Sequence, residues 1–230
     1  MNDLYVAGTD TGVGKTVLSL LLMQFFLKQG REPFYLKPLQ TGCKTPRDED
    51  SDAAFIYRHT ASLRDRDPAE SVIYCLRNPK APYFAARDEG RTIDLKHVER
   101  VIEEKRRRYD PLIIEAAGGV LVPVAERTLI VDTIKTTGAK VLIAARAGLG
   151  TINHTLLSLE ALQTRGISPL AVIFIDAAGT SLEMIAENKE AVEAYSGVKV
   201  AGVISRIADF SHPPEDSYLP LASLLREGLI

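Results

Sequence analysis

Short apolar runs alternate with longer amphipathic stretches along nearly the whole chain. Leu4–Ala7, Phe34–Lys37, Leu112–Glu115, Val141–Ala145, Ala171–Ile175 and Val200–Ile204 read as strands. Several are continuous apolar runs, the pattern of strands covered on both faces. Helices are predicted over Lys15–Gln29, Ser51–His59, Leu95–Arg107, Thr151–Arg165 and Ser181–Tyr195, with a last one near Leu219–Leu225. Gly30, Gly138 and Gly166 fall where helix ends or turns are wanted. Strand and helix repeated in this order imply right-handed crossovers and a three-layer α/β fold, a mostly parallel sheet with helices on both faces. Two segments break the rhythm. Gly42–Asp50 is polar and reads as a mobile loop, and Ser71–Arg91, with Asn78-Pro79 and Ala81-Pro82, reads as irregular. Both fit as insertions, so residues 1–230 are expected to form a single domain.

Composition narrows the function. The 230 residues are 46% hydrophobic and 25% charged, ordinary for a globular enzyme. Lys and Arg number 28 against 30 Asp and Glu, so there is no basic excess and no nucleic-acid partner is expected. Val17–Leu27, interrupted by Ser19 and Gln24, is too short to cross a bilayer. The start, MNDLYVAG, carries an acid and no basic region, so no secretory leader is expected. Cys43 and Cys75 supply neither a disulfide framework nor a metal ligand set. The expectation is a cytoplasmic protein without a membrane partner.

One segment carries chemistry on its own. The strand Leu4–Ala7 runs into GTDTGVGKT, Gly8 to Thr16, and then into a helix. Gly8, Gly12 and Gly14 let backbone N–H groups curl round an anion. Lys15 can reach the outer phosphates, Thr16 can offer its hydroxyl to Mg2+, and the helix N-terminus adds its dipole. The spacing differs from GxxxxGK[ST] by one residue, because Thr9 stands six before Lys15. A triphosphate site in a P-loop nucleoside triphosphate hydrolase-like fold is predicted. Glu115 ends an apolar strand facing this loop, and Asp52 opens a helical pattern, with capping as its plainer role. Mg2+ takes few protein oxygens, so Thr16, Asp52 and Glu115 form a candidate metal set.

GTDTGVGKT resembles the phosphate loop of the dethiobiotin synthetase family. The resemblance continues through LKPLQTG (Leu36–Gly42), SDA (Ser51–Ala53), APYFAARDEGR (Ala81–Arg91), EAAGGVLVP (Glu115–Pro123) and GLGTINHTLLSLEAL (Gly148–Leu162), and weakens beyond about residue 170. It implies a ligase that closes a cyclic urea from 7,8-diaminononanoate, CO2 and ATP with Mg2+. Thr11, Gly12, Val13, Gly14, Lys15, Thr16, Glu115 and Gly118 would bind the nucleotide. Lys37 would be catalytic, steadying the carbamate and the transferred phosphate, and Thr11, Lys15, Lys37, Thr41 and Gly118 would contact the substrate. Leu149, Gly150, Thr151, Ile152 and Asn153, at a helix start, would bind its carboxylate from the neighbouring subunit of a homodimer. In the family an Asn after the fifth strand and a proline after the last help hold the base. Here Phe174-Ile175-Asp176 and Ile204-Ser205-Arg206 stand there, so weak discrimination among bases is expected, with Asp176 a candidate acceptor. The alternative is a partition-type P-loop ATPase acting as a dimeric switch. Its loops usually read KGGxGKT, and here Asp10 stands in the place of the signature lysine.

Overall fold

In the computed structural model, which describes residues 3–230, strand β1 (Leu4–Gly8) leads through the glycine loop into α1 (Lys15–Lys28). Met1 and Asn2, the start of the segment read for a leader, lie outside the described residues. There follow β2 (Phe34–Thr41), α2 (Asp52–His59), β3 (Val72–Leu76), α3 (Pro82–Asp88), α4 (Leu95–Arg106) and β4 (Leu112–Glu115). A small antiparallel pair, β5 (Pro123–Ala125) and β6 (Thr128–Leu129), runs into α5 (Ile130–Thr137). Then come β7 (Lys140–Arg146), α6 (Thr151–Gln163), β8 (Ala171–Asp176), α7 (Leu182–Ser196), β9 (Val200–Ser205) and α8 (Leu219–Arg226).

The main sheet has seven strands in the order β3-β2-β4-β1-β7-β8-β9. Each neighbouring pair is parallel. Successive side chains of a strand point to opposite faces. Leu4 and Val6 therefore share one core with Leu18, Leu22, Ile56 and Leu221. Tyr5 and Ala7 share the other with Ile102, Ile134 and Leu159. Burial on both faces is why β1, β4 and β7 read as unbroken apolar runs. From β1 the chain builds first to one side of the sheet and later to the other. Such a reversal opens a crevice at the carboxyl ends of the strands.

The structure corrects the sequence reading in three places and adds a helix where no element was assigned. Ser71–Arg91 is not irregular: it holds β3, and α3 starts on Pro82 at its first turn. Ile130–Thr137 is a helix, although its β-branched residues argue for a strand. Asp132 fixes its start by accepting from the N–H of Leu129, and Gly138 closes it with a left-handed φ of 60°. Lys37 does not end its strand, because β2 continues to Thr41. Pro38 is tolerated there because β2 pairs with β4 only as far as Leu36, leaving that edge free of a ladder. Ser51 and Ser181 are not helical residues but N-caps, their hydroxyls accepting from the N–H of Ala54 and of Met184. The polar loop 42–50 is closed on itself by Asp48, which accepts from the N–H groups of Lys44 and Thr45.

Candidate functional site

The glycine loop is shaped by what it touches. Gly12 and Gly14 have φ of 69° and 90°, a region that favours glycine. A Cβ on Gly14 would lie 2.7 Å from Cγ2 of Ile175, so β8 braces the loop from behind. Val13 buries its side chain in the core and leaves its backbone to the loop. Lys15 is buried and folds back across the loop, its Nζ donating to the carbonyl of Asp10 at 2.7 Å. Burial, and secondarily the charge of Lys37, push the pKa of Lys15 down to about 8.

A bound triphosphate favours the ammonium form, so nucleotide binding should take up a proton above pH 8. Nucleotide affinity should then fall about tenfold between pH 8 and 9.5. Dissociation constants measured across that range check this, and a flat profile would separate the Lys15 charge from nucleotide binding.

Beyond the loop, four side chains converge. Thr16 Oγ1 lies 2.9 Å from both Asp52 Oδ1 and Glu115 Oε1, so its proton can go to either carboxylate. Lys37 donates to Glu115 Oε1 at 2.7 Å and forms an ion pair with Asp52. Burial alone would lower the pKa of Lys37, but the charges of Glu115 and Asp52 outweigh it and raise the pKa well above the ordinary lysine range. Burial would raise the carboxyl of Asp52, but the charge and hydrogen bond of Lys37 hold it below its usual value. Two carboxylates thus hold one cation, and the Thr16 hydroxyl lies between the same two carboxylates.

Thr11, Gly12, Gly14, Lys15, Thr16, Lys37, Thr41, Asp52, Glu115 and Gly118 border one cleft of about 790 Å³. Gly118, at φ 79°, has room for no Cβ, because Val122 would lie 2.9 Å away. The segment Leu149–Asn153 does not reach this cleft. It opens α6 on a left-handed Gly150 with φ 89°. Leu149 there is 95% exposed, and Thr151 is buried against the hydroxyl of Thr155. Asp176 is committed to the turn after β8, accepting from Gly179 and Thr180. Arg146 donates to the carbonyl of Thr11 and so props the loop.

Several residues of the site were not read from the sequence. Ser19 and Tyr35 both donate to Glu115 Oε2, and Gln40 accepts from the backbone of Asp52. Two patterns could have found the first pair. Ser19 lies one helical turn beyond Thr16, and Tyr35 is two residues from Lys37 in a strand, hence on the same face. Phe55 and Phe210, in edge-to-face contact at 5.0 Å, close the rim of the cleft, and no local sequence signal joins them.

Comparison with known proteins supplies the lineage. A family model described as an AAA domain matches residues 2–214. The biotin biosynthesis bifunctional protein BioCD of Bordetella avium is 40% identical over 207 residues; the match covers 89% of this chain and spans 39% of that relative's length. An ATP-dependent dethiobiotin synthetase, BioD, of an Anaeromyxobacter species is 32% identical over 212 residues, 92% of this chain and 93% of that one. Among solved structures, the MinC:MinD cell division protein complex of Aquifex aeolicus matches with a TM-score of 0.62 over 99% of this chain and 96% of that chain. At 16% identity that likeness speaks for the P-loop fold alone. The relative of like length, aligned over nearly all of both sequences, shows that this chain belongs to the ATP-dependent dethiobiotin synthetase family.

Proposed function

We propose that the chain is an ATP-dependent dethiobiotin synthetase, a ligase of biotin biosynthesis. It joins CO2 to 7,8-diaminononanoate and closes the cyclic urea of dethiobiotin, releasing ADP and phosphate. The observation that carries this reading is a second buried lysine, Lys37, held by two carboxylates in the cleft of the phosphate loop. A switch ATPase needs the loop; a carbamate-forming ligase also needs a fixed cation for anionic oxygens. Asp10, where the switch proteins carry a lysine, accepts from the N–H of Thr11 and offers no cation.

Lys15 and the loop N–H groups hold the outer phosphates. Thr16, Asp52 and Glu115 fit Mg2+, being hard oxygen donors of which two are charged. Among the described residues no cluster of three or more His, Cys, Asp or Glu offers another metal site. When bound, the ion neutralises charge on the phosphates during transfer. Lys37 steadies the carbamate oxygens as one attacks the γ-phosphate. Thr41 and the backbone of Gly118 orient the reacting amines, the second of which then closes the ring. No covalent nucleophile on the protein is required.

The substrate carboxylate needs N–H donors, and the start of α6 presents first-turn N–H groups that no N-cap side chain covers. Because Leu149–Asn153 lies outside its own cleft, it serves the neighbouring subunit of a homodimer with two shared sites. The enzyme works in the cytoplasm as one domain over residues 1–230, without nucleic-acid or membrane partners. Among the described residues, no helix is long and apolar enough to cross a membrane.

Release of ADP and phosphate should require diaminononanoate, bicarbonate and Mg2+ together. Hydrolysis independent of the diamine and stimulated by a protein partner would favour the switch instead. Mixing inactive Lys15→Ala with a crippled Asn153→Ala protein should regenerate about a quarter of the sites as intact under random exchange. No recovery after verified exchange would put both elements in one chain's site.

A further inference from the structure

The carboxylate of Glu115 is held by two donors at each oxygen, but by groups of different kinds. Oε1 meets the cleft-lining Thr16 at 2.9 Å and Lys37 at 2.7 Å. Oε2 receives the Ser19 hydroxyl at 2.9 Å and the Tyr35 hydroxyl at 3.1 Å. Ser19 and Tyr35 are both fully buried, so no water competes for these bonds. The Tyr35 backbone is fixed as well: its carbonyl accepts from Ser71 at 2.7 Å, and Ser71 pairs with the Tyr57 hydroxyl at 2.9 Å. An ionised carboxylate oxygen has about two lone-pair positions; those of Oε1 are met by groups that line the cleft and can turn to a ligand there, those of Oε2 by two buried hydroxyls outside it.

We propose that Ser19 and Tyr35 are positioning residues that occupy Oε2 of Glu115, so that the carboxylate offers a metal ion one oxygen rather than two and the site favours Mg2+ over Ca2+. Ca2+ takes six to eight oxygens and readily accepts both oxygens of one carboxylate; Mg2+ is smaller, strictly octahedral and satisfied with single oxygens and water. Withholding Oε2 removes a contact that only the larger ion can use. The inference rests on the reading of Thr16, Asp52 and Glu115 as the metal set.

The test uses Ser19→Ala and Tyr35→Phe, alone and combined, the second keeping the ring and removing only the hydroxyl. Binding of a non-hydrolysable ATP analogue is measured by calorimetry with Mg2+ or Ca2+ as the sole divalent ion, with circular dichroism and thermal melting as checks on the fold. The ratio of the Ca2+ to the Mg2+ dissociation constant should fall about tenfold in the double variant, the scale set by outer-shell partners of metal ligands. An unchanged ratio, or equal weakening with both ions, overturns the proposal and leaves the metal reading standing. If the unsubstituted protein binds the analogue equally well with either ion and with a chelator, the metal reading falls and this inference with it. Should the double variant not fold, Tyr35→Phe alone carries the comparison, with an expected change of about threefold, half the effect on a logarithmic scale.

Discussion

Replacing Lys37 by alanine should slow turnover about a hundredfold at saturating nucleotide while leaving nucleotide affinity nearly unchanged. The rate falls because a fixed cation is lost where anionic oxygens develop. The fold should suffer too, and in a diagnostic way. The pKa of Lys37 is raised in the folded state, so its stabilisation is fully present below the ordinary lysine pKa and is lost only as pH rises through the raised value. At neutral pH its removal leaves Glu115 buried and Asp52 half-buried without their cation, a loss of about 3 kcal/mol, the low end for a buried pair. Acidification through the lowered pKa of Asp52, and Mg2+ with nucleotide, should each narrow the gap in thermal midpoint. Steady-state kinetics and melting curves check both parts, and a kcat within twofold of the parent would remove Lys37 from the chemistry.

Lys15→Ala should behave in the opposite manner. Nucleotide affinity should fall a hundredfold or more, on the scale of about 3 kcal/mol or above for removing one partner of a buried charge contact. Stability without nucleotide should not fall. The pKa of Lys15 is lowered to about 8, so below that pH the folded state carries a charge it disfavours, and removing the side chain relieves this. The variant should therefore melt at or above the parent's midpoint at pH 7 and gain nothing from added nucleotide. Calorimetric titration and melting with and without nucleotide measure the two effects, and binding within threefold of the parent would overturn the role given to Lys15.

Much of this was legible in the sequence because it depends on local pattern. Continuous apolar runs gave β1, β4, β7 and β8, since a parallel strand covered on both faces leaves no polar position. The glycines, Lys15, Thr16 and Glu115 stand at strand ends and helix starts, where chemistry and position coincide. What escaped is decided at a distance. β3 is an edge strand of half-buried residues lying just before two Xaa-Pro turns, so its own sequence carries a weak signal. α5 is rich in Ile, Val and Thr and is helical because Asp132 and Gly138 fix its ends and the sheet covers its apolar side. Ser19 reads as a flaw in an apolar helix until Glu115, ninety-six residues later, arrives beside it. Phe210 reaches the rim of the cleft only through the packing of the last third of the chain.

The central place of β1 in the sheet bears on the order in which the molecule can be assembled. Leu4 pairs with Ile113 on one side and with Lys140 on the other, and both partners come later in the chain. The strand that aims the glycine loop precedes both in the chain, so it has no neighbour until β4 is made and only one until β7. Partners so far apart in sequence make chain closure slow, and they leave an apolar strand unpaired in the meantime. The glycine loop is made before either strand that fixes its aim, and it is set in place only once both have joined the sheet.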